Sequence, residues 1–148
     1  VADSQSSSQI GDISRFRGAN LITPTEREAR ISTRNHEDGL VVLAEQLRAN
    51  SKAKNILLKM GEEGLLIHAG DCNVEKEGWL TDRIDALNSA PRDAAGAGDC
   101  LLVGSALSLI AGGNIWEAAL LGSLSAAIQV GRVGNTPLKS RELLEKVK

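Results

Sequence analysis

The sequence predicts an α/β fold, and three observations lead to this prediction. Two short apolar runs, residues 55–60 and 64–68, flank a glycine-rich turn, as paired strands do. Residues 37–49 carry apolar side chains at helical spacing. Two longer apolar stretches, 101–111 and 115–130, lack a polar face, which predicts helices buried against each other and against a sheet. Helices and strands in this order pack as layers.

Length and charge restrict the class of protein. A chain of 148 residues with 42% hydrophobic residues fits one globular domain. The net charge is −2, no basic cluster is present, and the only aromatic residues are Phe16, Trp79 and Trp116. Nucleic-acid binding is therefore not expected, because both basic patches and stacking platforms are missing from the sequence.

Cysteine usage and hydropathy predict a cytoplasmic protein that does not bind membranes. Cys72 and Cys100 do not have the spacing of a metal-binding pair, and we expect both thiols to be reduced. The apolar run 101–111 is too short to span a bilayer and ends at Gly112-Gly113. No signal-peptide pattern opens the sequence.

The elements follow one another with recognisable boundaries. Residues 21–23 form a short apolar strand, and Thr23 as N-cap, Pro24 as the first helical residue and Glu26 predict that a helix starts at once. Asn114 is predicted to cap the helix 115–130. A charged terminal helix is expected over residues 140–147.

The most informative stretch is residues 93–99, in which Gly96 and Gly98 precede Asp99 at the start of an apolar helix. Glycines let an anion approach the backbone, and the free N–H groups at a helix start favour negative charge. A carboxylate beside such a site can accept a proton from an attacking hydroxyl. The residues therefore indicate phosphoryl transfer, with Asp99 as the base and the amides of residues 96–99 stabilising charge.

Two other interpretations of this stretch stay open. A glycine-rich turn before a buried helix is common, and an Asp in the first turn is an ordinary partner of the helix dipole. A dinucleotide or methyl-donor site also uses small residues, but such loops follow an apolar strand directly. The polar, proline-containing residues 88–92 count against that alternative.

The same stretch resembles the second signature of the ribokinase-like carbohydrate kinases, the phosphofructokinase-B type. That signature usually reads Asp-Thr-Thr-Gly-Ala-Gly-Asp before a helix of small and apolar residues. Ala94 and Ala95 stand where the signature has two hydroxyl residues. The residues that match it are Asp93, Gly96, Ala97, Gly98, Asp99 and Gly104.

The resemblance implies the C-terminal portion of a three-layer α/β/α kinase domain, with residues 1–148 carrying the nucleotide-binding and catalytic part. It implies that Asp99 is the catalytic base and that the amides of Gly96, Ala97 and Gly98 contact the transferred phosphate. It also implies that Glu28 helps to organise Mg²⁺ through water, with Thr25 in place of a usual Asn.

Further positions follow from the resemblance alone. The nucleotide is expected to contact Lys59, Gly61 and Gly64, and the adenine to lie near Ser123. In members that need a monovalent cation such as K⁺, carbonyl groups from the turn at residues 131–134 and from the region of Asp93 bind it. This implicates Asp93, Ala95 and Gly134.

We therefore predict ATP-dependent phosphorylation of a sugar or sugar-phosphate hydroxyl. Residues 21–30 and 15–18 resemble the heptose-7-phosphate kinase branch of the family. The expected partners are the sugar substrate, the N-terminal half that would supply most sugar contacts and a lid, and a second copy in a homodimer. The alternative is a non-catalytic nucleotide-binding or assembly module that retained the fold, which Thr25, Ala94 and Ala95 keep open.

Overall fold

The computed structural model describes residues 1–3, 12–70 and 80–147. It confirms the α/β prediction, since a four-stranded sheet and five α-helices are present in this part of the chain. The chain divides into two compact units, Val1–Gly61 with Leu65–Arg83, and Glu62–Gly64 with Ile84–Lys148. Cys72 and Trp79, which the sequence analysis discussed, lie outside the described residues.

The first unit is built on a sheet with the strand order β1-β2-β3-β4. β1 and β2 are parallel, whereas β2 and β3 are antiparallel with Leu57 opposite Ile67. The predicted hairpin is therefore confirmed, and its turn is the 3₁₀ segment Gly61–Glu63. The strands are Leu21–Ile22 (β1), Asn55–Lys59 (β2), Leu65–Ala69 (β3) and Leu80–Ile84 (β4).

Two helices pack on this sheet. They are α1 (Glu26–Thr33) and α2 (Leu40–Ser51). The stripe predicted for α2 is real, since its side chains form a core with those of β1, β2 and β3. Burial of this apolar area is the main force that holds the unit together. Fully buried members of the core are Ile13, Ile22, Ala29, Leu43, Ala44, Leu47, Ile56 and Leu58.

The predicted start of α1 is wrong by two residues. Thr25, not Thr23, is the N-cap, and its hydroxyl accepts the N–H of Glu28 at 3.2 Å. Thr23 is instead buried in extended backbone, where its N–H donates to the carbonyl of Ala2. The carbonyl of Pro24 accepts the N–H of Lys59, so sheet pairing continues through Pro24 and delays the helix.

The second unit is mainly helical, with α3 (Ala97–Ile110), α4 (Ile115–Val130) and α5 (Ser140–Val147). Small residues bring α3 and α4 close together. A Cβ on Gly104 would lie 3.1 Å from the carbonyl oxygen of Leu121, and one on Gly122 would lie 2.8 Å from that of Leu101. Such contacts fix the position of α3 against α4, because packed helices tolerate little added volume.

The prediction that both helices are buried holds only in part. On α3, Val103, Leu107 and Ile110 are 56%, 57% and 82% exposed and lie on one face at helical spacing. α4 likewise exposes Leu120. Within the described residues, no helix has the length and hydropathy needed to cross a membrane.

Candidate functional site

The glycine-rich loop is attached to the carboxyl end of α4. The N–H groups of Arg92 and Asp93 both donate to the carbonyl of Val130, at 2.7 and 3.2 Å. Nearby, the side-chain amide of Asn88 donates to the carbonyl of Ala127 at 2.8 Å. The last turn of a helix leaves its carbonyl groups without intrahelical partners. In α4, residues before and at the start of the glycine-rich loop donate hydrogen bonds to such carbonyl groups.

Asp93 organises both sides of the loop. Its Oδ1 accepts the N–H of Ala95 and its Oδ2 accepts the N–H of Gly134, each at 2.9 Å. These two backbone donors stabilise the charged form and hold the pKa of the Asp93 carboxyl below its usual range. Asp93 therefore acts as an ionised clamp between the loop before α3 and the turn after α4.

Gly96 has a conformation that other residues rarely adopt. It is the N-cap of α3 with φ at +76°, in the left-handed region. An added Cβ would also overlap the side chain of Asn135. Both the backbone conformation and the space beside Asn135 therefore require glycine at this position.

The amino end of α3 has free donors. No side chain caps Gly96, and the first N–H to enter the helix ladder is that of Cys100, which donates to the Gly96 carbonyl. The Ala97 N–H is already used by the carbonyl of Ala94 at 3.2 Å. Within the described chain, the N–H groups of Gly96, Gly98 and Asp99 have no acceptor, so they are the available part of the predicted site.

Asp99 lies beside these donors and is exposed. Its carboxylate has no hydrogen bond or ion pair with any residue that the structure describes. The next residue, Cys100, is partly buried, and burial is the main reason that the pKa of its thiol is raised. A protonated thiol is a poor nucleophile, so the raised pKa disfavours Cys100 as a reactive group. The role of Asp99 as the base stays a prediction.

Gln129 is a site residue that the sequence analysis did not identify. It is fully buried, and its Nε2 donates to the carbonyls of Ala95 at 2.9 Å and Gly134 at 3.0 Å. These are two of the three residues predicted to bind a monovalent cation. A lone amide on the buried face of an otherwise apolar helix was the available signal, because such groups need a specific partner.

Glu28 uses its position to cap α1. It is 3% exposed, and its Oε2 accepts the N–H of Thr25 at 2.7 Å, which completes a capping box. One carboxylate oxygen is therefore committed to the helix start. A role in organising Mg²⁺ stays a prediction for Glu28.

Lys59, which is predicted to contact the nucleotide, forms an ion pair within the first unit, and its nucleotide contact stays a prediction. Its ammonium is paired with the carboxylate of Asp3, with Nζ 2.8 and 3.1 Å from the two oxygens. The register of β2 explains this pairing, because the parallel bridges of Ala2 with Ile22 and of Thr25 with Lys59 extend the same sheet.

The two glycines of the hairpin have different surroundings. Gly61 has φ at +63° and open space where a Cβ would be. Gly64 has φ at +93°, and a Cβ there would lie 2.7 Å from the backbone nitrogen of Ala86. Gly64 thus has a structural reason to be glycine, and the predicted nucleotide contacts of both residues stay predictions.

Ser123 is buried in α4 in the second unit, which also contains the Asp93 loop. Its predicted place near adenine stays a prediction. No three His, Cys, Asp or Glu side chains come together within residues 1–3, 12–70 and 80–147 in a way that could hold a metal ion.

The fold and the loop define a class of protein, the α/β proteins in which a glycine-rich turn opens a helix with free amide donors. The sequence matches the description "pfkB family carbohydrate kinase" over residues 1–141. The chain therefore belongs to the pfkB carbohydrate kinase family, and the family predicted from residues 93–104 is confirmed.

Known proteins agree with this assignment. The chain is 29% identical over 139 residues to the "Bifunctional protein HldE" of Geotalea uraniireducens, covering 92% of this chain and 27% of that protein. Phosphofructokinase-2 from Escherichia coli in complex with potassium superposes with a TM-score of 0.72 at 16% identity, covering 89% of this chain and 41% of that one. Arabidopsis thaliana ribokinase complexed with ribose and ATP gives 0.69 at 18% identity, covering 87% and 41%.

These similarities confirm a ribokinase-like fold. At such low sequence identities, the similarity to the two solved structures shows a shared fold and no more. The chain spans about a quarter of the length of the curated relative and about two fifths of each solved chain.

Proposed function

We propose that this chain supplies the nucleotide-binding and catalytic part of an enzyme that transfers the γ-phosphate of ATP to a hydroxyl of a sugar or sugar phosphate. The observation that carries the proposal is the amino end of α3, where the free N–H groups of Gly96, Gly98 and Asp99 lie beside an exposed, unpaired carboxylate. Membership of a carbohydrate kinase family supports the interpretation of this arrangement as a phosphoryl-transfer site.

In the proposed reaction, Asp99 accepts the proton of the acceptor hydroxyl as that oxygen bonds to the γ-phosphorus. The bond between the γ-phosphorus and the β,γ-bridging oxygen breaks, and ADP leaves. The amides of Gly96, Gly98 and Asp99 donate hydrogen bonds to the phosphoryl oxygens, where negative charge develops. Backbone donors held by a clamped loop need no rearrangement during the step, which is why Asp93 is assigned a positioning role.

ATP is the proposed phosphate donor because the backbone N–H groups at the start of α3 are suited to bind phosphate oxygens. The ATP complex of the Arabidopsis ribokinase neighbour supports the same cosubstrate. Mg²⁺ would screen the phosphate charge. Glu28 is retained as the candidate residue that helps to organise Mg²⁺ through water. Lys59, Gly61, Gly64 and Ser123 are retained as candidate nucleotide contacts.

The acceptor to test first is heptose 7-phosphate. The proposal rests on the resemblance of residues 15–30 to that branch of the family and on the HldE relative. The curated relative is much longer than this chain, so we assign sugar selection to polypeptide beyond residues 1–148.

The experiment measures ADP release and Mg-ADP affinity in the protein at its full natural length, with heptose 7-phosphate and a panel of sugars as acceptors. We expect turnover with at least one acceptor, and an Asp99→Asn variant that binds Mg-ADP normally but turns over poorly. Nucleotide binding without phosphotransfer to any acceptor would favour the non-catalytic module instead. Normal turnover by Asp99→Asn would eliminate Asp99 as the base.

A further inference from the structure

The side chain of Gln129 joins the two turns that border the proposed site. It projects from the last part of α4, and its Nε2 donates to Ala95 on one side and Gly134 on the other. Only the NH₂ end of the amide can donate to two carbonyls, so the orientation of the side chain is fixed. Its Oε1 has no partner among the described residues.

The arrangement conflicts with a cation at this turn. A cation that bridged the carbonyl oxygens of Ala95 and Gly134 would occupy the position between them, and a nitrogen within 3.0 Å of both oxygens is already there. Each oxygen of the Asp93 carboxylate also accepts a backbone N–H from one of the two turns, that of Ala95 or that of Gly134. The residues present do not fit the monovalent cation that the resemblance implied.

We propose that the amide of Gln129 takes the place of a monovalent cation at this turn, so that the chain orders its phosphate-binding loop without potassium. The inference deepens the proposed function, since it concerns the same loop. A bound cation would link carbonyl oxygens from the two turns by attraction to both. Gln129 makes the same link with two N–H donors, and full burial strengthens such hydrogen bonds.

The link bears directly on α3. Ala95 immediately precedes the N-cap Gly96, and Gly134 is also held by Asp93. The Gln129 amide and the Asp93 carboxylate therefore fix the same two backbone segments, one by donating and the other by accepting. The free N–H groups of α3 keep their position because neither group exchanges with solvent ions.

The test compares two replacements of Gln129 that differ in the space they leave. Gln129→Ala removes the donors and opens a volume that a cation can enter. Gln129→Met removes the donors but fills much of the volume with an unbranched side chain. Asn88→Ala is the matched control, because it removes an amide that donates to a different carbonyl of α4, that of Ala127.

Each protein, at full natural length, is melted in potassium chloride and in tetramethylammonium chloride at equal ionic strength, and titrated calorimetrically with potassium chloride. For the parent, Gln129→Met and Asn88→Ala, we expect the melting temperature of each protein to be the same in the two salts. Gln129→Ala alone should gain a saturable increase in melting temperature with K⁺, with matching heat of binding.

The parent protein decides the question even where a variant does not fold. A saturable potassium-dependent rise in its melting temperature would overturn the inference, as would a folded Gln129→Ala variant with no response to K⁺. The inference would also be contradicted if K⁺ raised the melting temperature of Gln129→Met as much as that of Gln129→Ala. These readouts need no turnover, so a failure of the proposed kinase activity would be seen separately in the phosphotransfer assay.

Discussion

The helices α3 and α4 belong to the same unit and begin in opposite ways. α4 starts with a complete capping box, in which the side chain of Asn114 accepts the N–H of Glu117 and Glu117 accepts the N–H of Asn114. α3 also carries an acidic residue three positions after its N-cap, but the N-cap is Gly96 and Asp99 caps nothing among the described residues. The same position is structural in one helix and chemically available in the other.

The first helix of the chain extends this comparison. Glu28 lies three residues after the N-cap Thr25 and closes a capping box, as Glu117 does. An acid in the first turn is thus ordinary for this protein, and its presence in α3 is not by itself informative. Unlike α1 and α4, α3 has a glycine N-cap, which has no side-chain oxygen and leaves the first amides for a ligand. α2 also has a glycine N-cap, Gly39, but no acidic residue in its first turn.

The largest expected effect distinguishes Asp99 of α3 from Glu117 of α4, the acidic residues that lie three positions after the two N-caps. Asp99→Asn should lower kcat by about 10²–10⁴-fold, because the proton acceptor is lost while the shape is kept. Glu117→Gln is the matched control, since Gln also serves a capping box and should leave kcat unchanged. Steady-state turnover of the full-length protein measures both. Equal losses in the two variants would mean that Asp99 is as structural as Glu117.

A second prediction concerns the glycine that leaves α3 uncapped. Gly96→Ala should destabilise the protein by at least about 1–2 kcal/mol, because a left-handed backbone is unfavourable with a Cβ. The overlap with Asn135 adds to this cost and should displace the amides, weakening Mg-ADP binding. Urea unfolding and calorimetric titration measure the two effects.

Gly112 provides the control for that prediction. It too has positive φ, at +93°, but a Cβ there would meet nothing within 4 Å. Gly112→Ala should show the backbone cost without the loss of affinity. The double variant Gly96→Ala with Asn135→Ala should recover part of the stability that the overlap removes. Nucleotide affinity that falls equally in the Gly96 and Gly112 variants would place the nucleotide away from α3.

A smaller effect is expected from the capped helix. Asn114→Ala should lower the free energy of unfolding by about 1 kcal/mol, since it removes one half of a capping box. Turnover of the folded variant should equal that of the parent, because the start of α4 carries no ligand in the proposal. Denaturant unfolding with turnover measured in parallel checks this, and a loss of turnover larger than the loss of folded protein would refute it.

The helices, the hairpin and the cap of α4 were predictable from sequence because local signals decide them. Asn114 and Glu117 are three residues apart, and the turn glycines Gly61 and Gly64 border two short apolar runs. The start of α1 was not predictable in the same way. Thr23 and Thr25 are both good N-caps, and the choice between them depends on strand pairing with Ala2 and Lys59, which are distant in sequence.

The candidate site was likewise predictable where its residues are close in sequence, and not where they are distant. Asp93, Gly96 and Asp99 are close in sequence and share one signature, so the loop was identified at once. The partners of Gln129 were not evident, since it meets Ala95 from 34 residues away. The pairing of Lys59 with Asp3 spans 56 residues and was missed for the same reason. Long-range polar pairs need the fold before they can be assigned.

The last and smallest expected effect concerns the clamp that holds the uncapped start of α3. The pKa of Asp93 is lowered in the folded protein by the N–H groups of Ala95 and Gly134. A lowered carboxyl pKa contributes stability that is present above the unfolded value near 3.8 and is lost as the pH falls through the folded value. The parent should therefore exceed Asp93→Asn in stability at neutral pH, and the difference should shrink below about pH 4. Urea unfolding of both proteins from pH 7 to pH 3 measures this difference, and a gap that stays constant with pH would show that the clamp does not depend on the charge of Asp93.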